Sequence, residues 1–150
     1  MILLDTNVVS EPLRHAPEAR VIEWIDAQPL ETLYLSAITV AELRAGVALL
    51  PSGKRRAGLH ESLEKRVLPL FAGRVMPFDI LCTQAYAELM ARSRSAGLAI
   101  AAADGYVAAI AAANEAEFDF VSGLGPRRAG ADSDGRQRRG GAGDELAAAE

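Results

Sequence analysis

The chain opens on a bare apolar run, Ile2-Leu3-Leu4, that stops at Asp5. A run without polar alternation suits a short strand covered on both faces, as in a parallel sheet packed between helices. Leu33-Tyr34-Leu35 repeats the pattern and predicts a second strand; Arg74-Val75-Met76-Pro77-Phe78 predicts a third, and Phe118 to Val121 a fourth. Between them the spacing is helical. Asn7 is placed to cap a short helix that Pro12 disturbs, and Pro17 suits the first turn of the next helix, whose Val21, Ile22, Trp24 and Ile25 supply an apolar face. After Ser36 a helix carries Ile38, Ala41, Ala45, Ala48 and Leu49 on one side and stops at Pro51-Ser52-Gly53. Another spans Lys54 to Phe71, ending or bending at Pro69. Asp79 caps a long helix with Leu81, Ala85, Leu89 and Met90 that ends at Gly97, and a last helix covers about Ala102 to Asn114.

Strand, helices, strand, helices, strand, helix, helix, strand is the order of an open α/β sheet with mostly parallel strands. Past Gly123 large apolar side chains nearly vanish, and Gly, Ala, Arg and Asp dominate. Such a segment has too little to bury to offset its ordering entropy, so residues 123–150 are expected to be mostly disordered and residues 1–122 to form one domain.

Composition adds exclusions. With 150 residues, half of them hydrophobic and about a quarter charged, the chain is an ordinary single globular domain. A net charge of −4 argues against a surface coated in basic residues, yet leaves room for a nuclease whose acids gather in one site. Cys82 is the only cysteine, so no internal disulfide forms. MILLDTN has no basic leader region, and no apolar stretch approaches the ~20 residues that span a bilayer; a cytoplasmic protein off the membrane is expected.

Three acids carry the candidate chemistry. Asp5 ends the first strand, at the edge where open α/β sheets place ligands. Glu42 falls early in the helix after the second strand, and Asp104 in the first turn of the last helix, so all three converge on one rim. Singly, each is explained by helix capping or the helix dipole. Jointly that explanation weakens, because Glu42 in AITVAELRAGVALL and Asp104 in IAAADGYVAAIAAA have apolar neighbours, and a desolvated carboxylate needs a partner. Mg²⁺ or Mn²⁺ suits an all-oxygen site, whereas Zn²⁺ would call for His and Cys spacing that the chain lacks; His15 and His60 read as surface residues. Such an ion activates water and offsets charge on a phosphodiester, which points to phosphodiester hydrolysis without a protein nucleophile. Thr6 and Asn7 beside Asp5, and Ser36 and Thr39 near Glu42, first suggest helix caps, with ordering of acids or waters as a second role.

These blocks, MILLDTNVVSEPLR, LSAITVAELRAGVALLPSGKR, LPLFAGRVMPFD and IAAADGYVAAIAAA, resemble PIN-domain toxins of the VapC type, especially the FitB-like branch, over residues 1 to about 114. The resemblance implies a three-layer α/β/α sandwich with a mostly parallel sheet of four to five strands. It also implies a Mg²⁺- or Mn²⁺-dependent endoribonuclease, the toxin of a type II toxin–antitoxin system, with Asp5, Glu42 and Asp104 as catalytic and metal-binding acids. RNA as substrate, a small DNA-binding antitoxin, a homodimer, and a heterotetramer or larger assembly with the antitoxin are implied likewise. The family's fourth acid follows the last catalytic strand in a stretch similar to VATRD. Here the counterpart is FDFVS, with Ser122 at that place, and Asp119 three residues earlier is offset to the opposite face of a strand. The ending GPRRAGADSDGRQRRGGAGDELAAAE resembles an out-of-frame reading of a GC-rich gene; resequencing tests this, and an intact frame rules it out.

Two other readings stay open. One is a catalytically impaired remnant that only binds its antitoxin or dimer partner. The other is a phosphotransferase with Asp5 as nucleophile, in which Asn7 replaces the second acid of an Asp-x-Asp motif. Leu59, Leu63 and Val67 form a stripe that serves either core or dimer. Lys54, Arg55, Arg56, Arg92 and Arg94 are either solvated or a track for RNA phosphates.

Overall fold

The computed structural model describes residues 1–115 and the backbone of residues 117–119. Four strands, β1 (Ile2–Leu4), β2 (Leu33–Ser36), β3 (Val75–Met76) and β4 (Glu117–Asp119), pair in the order β3-β2-β1-β4, each neighbouring pair parallel. Six α-helices connect them: α1 (Thr6–Ser10), α2 (Ala19–Ala27), α3 (Ala37–Ala48), α4 (Lys54–Ser62), α5 (Ile80–Ser95) and α6 (Ala102–Ala113).

Period-two alternation along these apolar strands divides the interior. Leu4, Leu33 and Leu35 face one core, shared with Val8 and Val9 of α1, Val21 of α2, Leu43 of α3, and Leu63 and Phe71. Leu3 faces the other, shared with Cys82 of α5 and Val107, Ile110 and Ala111 of α6, with Tyr34, Met76 and Phe78 packed against it. The sheet therefore lies between two helical layers, an α/β/α sandwich. Leu3 and Leu35 are wholly buried, each contributing roughly 1.5–3 kcal/mol of apolar transfer.

Several local expectations change. Asp5, not Asn7, is the N-cap of α1, and Asn7 lies inside that helix. Pro17 precedes α2, whose N-cap is Glu18; the Glu18 amide donates to the Glu11 carboxylate at 2.8 Å. In α3 the alanine face is outward: Ala41, Ala45 and Ala48 are exposed and Leu49 is 85% exposed, while Thr39 and Leu43 are buried. Leu43, with Val40 and Val47 beside it, offers more apolar area than three alanines, which favours this rotation of the helix. After Ser62 the expected single helix becomes a π-helical turn, Leu63–Val67, then a 3₁₀ turn, Leu68–Phe71, with Pro69 in its first turn. Of that stripe, Leu63 is buried in the first core and Val67 packs against it.

β3 is only Val75–Met76 because Pro77, which has no N–H, follows it. Asp79 caps α5, accepting from the Leu81 and Cys82 amides at 3.1 and 3.2 Å. Leu81 itself is 68% exposed; the inward positions of α5 are Cys82 and Ser93. At its other end Gly97 takes φ +69°, and its N–H and that of Leu98 donate to Arg94 and Ser93 carbonyls at 3.1 and 2.8 Å, the paired bonds of a Schellman ending. Arg92 and Arg94 sit in that last turn, where the helix dipole favours cations. β4 begins one residue earlier than the pattern suggests, with Asp119 opposite Leu4 of β1. Ser122 and residues 123–150 lie outside the described residues.

Candidate functional site

Because β1 and β2 are parallel neighbours, their carboxyl ends open on the same rim, where the chain turns into α1 through Asp5 and into α3 through Ser36. Asp5 is 5% exposed. Its Oδ1 accepts from the Thr6 amide at 2.7 Å and its Oδ2 from the Asn7 side-chain amide at 3.1 Å. Ser36, fully buried, caps α3 by accepting from the Thr39 amide at 2.8 Å. The Ser36 and Thr39 hydroxyls are 2.9 Å apart, and the Thr39 hydroxyl reaches the Leu4 carbonyl at 3.4 Å. The start of α3 is thereby tied to the ends of both central strands, which brings its second turn against the first turn of α1. There the Thr6 hydroxyl donates to Glu42 Oε2 at 2.5 Å.

Asp104 arrives from the opposite helical layer. It lies in the first turn of α6, whose N-cap, Ala101, makes no side-chain bond. The following Gly105 lets α6 press on α5: a Cβ there would stand 3.0 Å from Met90 Cε and 3.1 Å from Tyr86 Cε2. Tyr86 is stacked on Tyr106 at 4.8 Å between ring centroids, and Phe78 meets Tyr106 edge-on at 5.2 Å.

Burial first, and then the charges of Asp5 and Glu42, push the Asp104 carboxyl above the ordinary carboxylate range. The three acids thus share one field, and no Lys or Arg among the described residues pairs with them. The ion pairs among the described residues, Arg14–Glu11, Arg44–Glu64 and Lys65–Glu61, touch none of them. Nor, among the described residues, do any three His, Cys, Asp or Glu side chains stand close enough to close around one ion. The arrangement is an open set of carboxylates, two hydrogen-bonded in place and a third with no hydrogen bond contributing to its acidity.

That donor set fits a hard divalent cation that keeps part of its water shell, since Mg²⁺ and Mn²⁺ take few direct carboxylates and fill remaining positions with water. It does not fit a thiolate- or imidazole-loving ion. Cys82 is buried in α5, where burial raises its thiol pKa, and His15 and His60 are exposed.

Of the residues singled out from sequence, Asp5, Thr6, Asn7 and Glu42 form one hydrogen-bonded group, Asp104 faces it electrostatically, and Ser36 serves as the α3 cap behind it. Capping accounts for part of Asp5 and for Ser36; it does not account for Glu42. Two features escaped the sequence pattern. Glu11, buried, holds the entry to α2; a lone acid beside a proline carries no periodic signal. The Phe78–Tyr86–Tyr106 cluster joins residues from the start of α5 through α6, and only the packing of the two helices unites them.

A family model described as PIN domain matches residues 2–119. The plasmid stability protein StbB of Pseudomonas syringae pv. tomato is 68% identical over 114 residues, covering 76% of this chain and 82% of that protein. Toxin FitB of Neisseria gonorrhoeae is 60% identical over 111 residues, covering 74% and 80%. The VapC ribonuclease Y4jK of Sinorhizobium fredii is 56% identical over 114 residues, covering 76% and 81%. Among solved structures, FitAB bound to the IR36 DNA fragment superposes with a TM-score of 0.76 at 54% identity, covering 79% of this chain and 82% of that one.

Proposed function

The chain belongs to the PIN-domain family, and from that premise we propose that it is a ribonuclease, the toxin of a toxin–antitoxin pair, which hydrolyses RNA phosphodiesters with a carboxylate-held Mg²⁺ or Mn²⁺. The observation that carries this reading is the gathering of carboxylates at the strand rim: Thr6 joins Asp5 to Glu42, Asp104 stands near enough for burial and then their charges to raise its carboxyl, and no Lys or Arg among the described residues pairs with them. The ribonuclease and toxin assignments rest on relatives more than half identical, one named a VapC ribonuclease and one a toxin. Those names supply the substrate class, which the site alone does not.

In this reading Asp5, Glu42 and Asp104 would hold the cation, directly or through its waters. When bound, it supplies Lewis acidity toward the phosphodiester and makes water a better nucleophile at neutral pH. The protein's own part is positioning. Asp5 is fixed by the Thr6 and Asn7 donors, Glu42 by the Thr6 hydroxyl, and Asp104 by the close seating of α6 on α5. A carboxylate of the set accepts a proton as water adds to phosphorus; the P–O bond to the leaving nucleotide breaks, leaving phosphate on one fragment and hydroxyl on the other.

The reading includes a small DNA-binding antitoxin as inhibitor, supported by a solved neighbour that is FitAB bound to a DNA fragment. Among the described residues no helix is long and apolar enough to cross a membrane, in keeping with a cytoplasmic partner and substrate.

One observation favours a second reading, a remnant that binds its partner but does not cut: the family match stops at residue 119, before Ser122, the place where the family resemblance implies a further acid. One assay separates the two. The purified chain is incubated with pooled single-stranded RNA and Mg²⁺ or Mn²⁺, beside Asp5→Ala and a chelator control. Cleavage absent from both controls supports the nuclease; intact RNA with folded protein refutes it and leaves the remnant.

A further inference from the structure

Among the described residues, Thr6 is the one that hydrogen-bonds two of the three acids. Its backbone N–H donates to Asp5 Oδ1 at 2.7 Å and its hydroxyl to Glu42 Oε2 at 2.5 Å. The two carboxylates come from different elements, the end of β1 and the second turn of α3, and would otherwise be related only through the packing of α1 on α3. Glu42 has three side-chain torsions and faces like charges, so without a donor it gains both entropy and electrostatic relief by swinging to solvent. Thr6 removes that escape for one carboxylate oxygen and leaves Oε1 uncommitted. Asp104 has no comparable donor contributing to its acidity.

Resting on the reading that these acids hold a divalent cation, we propose that Thr6 is a positioning residue that sets Asp5 and Glu42 as a preformed pair, to which the cation and Asp104 are added. The hydroxyl is assigned to act through Glu42, whose Oε2 takes its single proton, and a double-mutant cycle distinguishes this from direct ligation of the cation by the hydroxyl oxygen. Removing it therefore weakens cation binding only while Glu42 is there to be positioned. Loss of a group that orients a metal ligand commonly weakens affinity about 10-fold to 100-fold.

The test is a double-mutant cycle read by free-Mn²⁺ electron paramagnetic resonance on the full chain, which needs no nuclease activity. Thr6→Val, nearly isosteric, is expected to weaken Mn²⁺ binding about 10-fold, and Thr6→Ser, which keeps the hydroxyl, to stay within about threefold of the parent. Glu42→Gln weakens binding further, and the double variant T6V/E42Q binds no more weakly than E42Q alone. Circular dichroism of the metal-free proteins confirms folding, and Thr6→Ala serves if the valine is not accommodated. T6V binding as tightly as the parent, or T6V and E42Q losses that simply add, overturns the positioning role while leaving the metal reading intact. A parent chain that binds no Mn²⁺ overturns both.

Discussion

Ser36→Ala is a sharp probe of how the site is built. Ser36 is fully buried and its hydroxyl has two partners, the Thr39 amide at 2.8 Å and the Thr39 hydroxyl at 2.9 Å. Alanine removes the α3 cap, at about 1 kcal/mol. It also leaves the Thr39 hydroxyl, itself fully buried, with only the Leu4 carbonyl at 3.4 Å, and an under-satisfied buried hydroxyl costs about a further 1–2 kcal/mol. The expected loss is about 2–3 kcal/mol, which with a urea slope of roughly 1–3 kcal/mol per molar lowers the unfolding midpoint by about 1 M or more. Thr39→Val alone keeps the cap and costs about 1 kcal/mol. In the S36A/T39V double variant the cap is gone but no hydroxyl is orphaned, so it is expected to be no less stable than S36A alone. Urea titrations followed by circular dichroism at 222 nm measure all four proteins. A loss below about 0.5 kcal/mol for S36A, or losses that add in the double variant, would refute the coupled Ser36–Thr39 anchor.

Leu35→Ala, in a wholly buried strand position, is expected to cost about 2–5 kcal/mol by urea titration; a cost under 1 kcal/mol would mean the central sheet is not tightly packed. Gly105→Ala gains about 1 kcal/mol of helix propensity, but its Cβ meets Tyr86 at 3.1 Å, and that ring is wedged by the Tyr106 stack. With overpacking at about 1–3 kcal/mol, a net loss is expected, and a stabilised variant would show that α5 and α6 are free to separate. The Asp79 carboxyl is held below its usual range, first by its hydrogen bonds to Cys82, so its share of stability is present above the ordinary Asp value and lost as pH falls through the lower folded one. Asp79→Ala should lower Tm at neutral pH and flatten that acid limb; an unchanged pH profile of Tm speaks against the cap. Asp104 has the opposite sign. Its raised carboxyl means the folded chain keeps a proton that the unfolded chain has released, so metal-free stability falls as pH rises through that interval. In chelator at neutral pH Asp104→Asn should therefore melt higher than the parent, while with Mg²⁺ or Mn²⁺ supplied it loses RNA cleavage, and a lower Tm in chelator contradicts the repulsive cluster.

The parts of the fold carried by uninterrupted apolar runs were readable in the chain. Ile2-Leu3-Leu4 and Leu33-Tyr34-Leu35 are the two central strands, and only a strand covered on both faces wants so bare a run. Asp79 and Gly97 bound α5 where their chemistry demands. The rotation of α3 was not readable from apolar spacing alone, because two stripes compete and the Ser36–Thr39 hydroxyl anchor, which only buried geometry reveals, favours the one through Leu43. At the site, the convergence of Asp5, Glu42 and Asp104 on one rim was legible from strand ends and helix starts. The Thr6 link between Asp5 and Glu42 was not, since it joins residues 36 apart in the chain.

The measurement that tests the central claim most directly is an anomalous difference map from crystals of the chain soaked in Mn²⁺. The account requires a peak at the rim of β1 within ligating reach of Asp5, with Glu42 and Asp104 reaching it directly or through one water, and no such peak in Asp5→Ala crystals. An empty rim at Mn²⁺ concentrations that fill other sites, or a rim peak that persists in the Asp5→Ala variant, would contradict it.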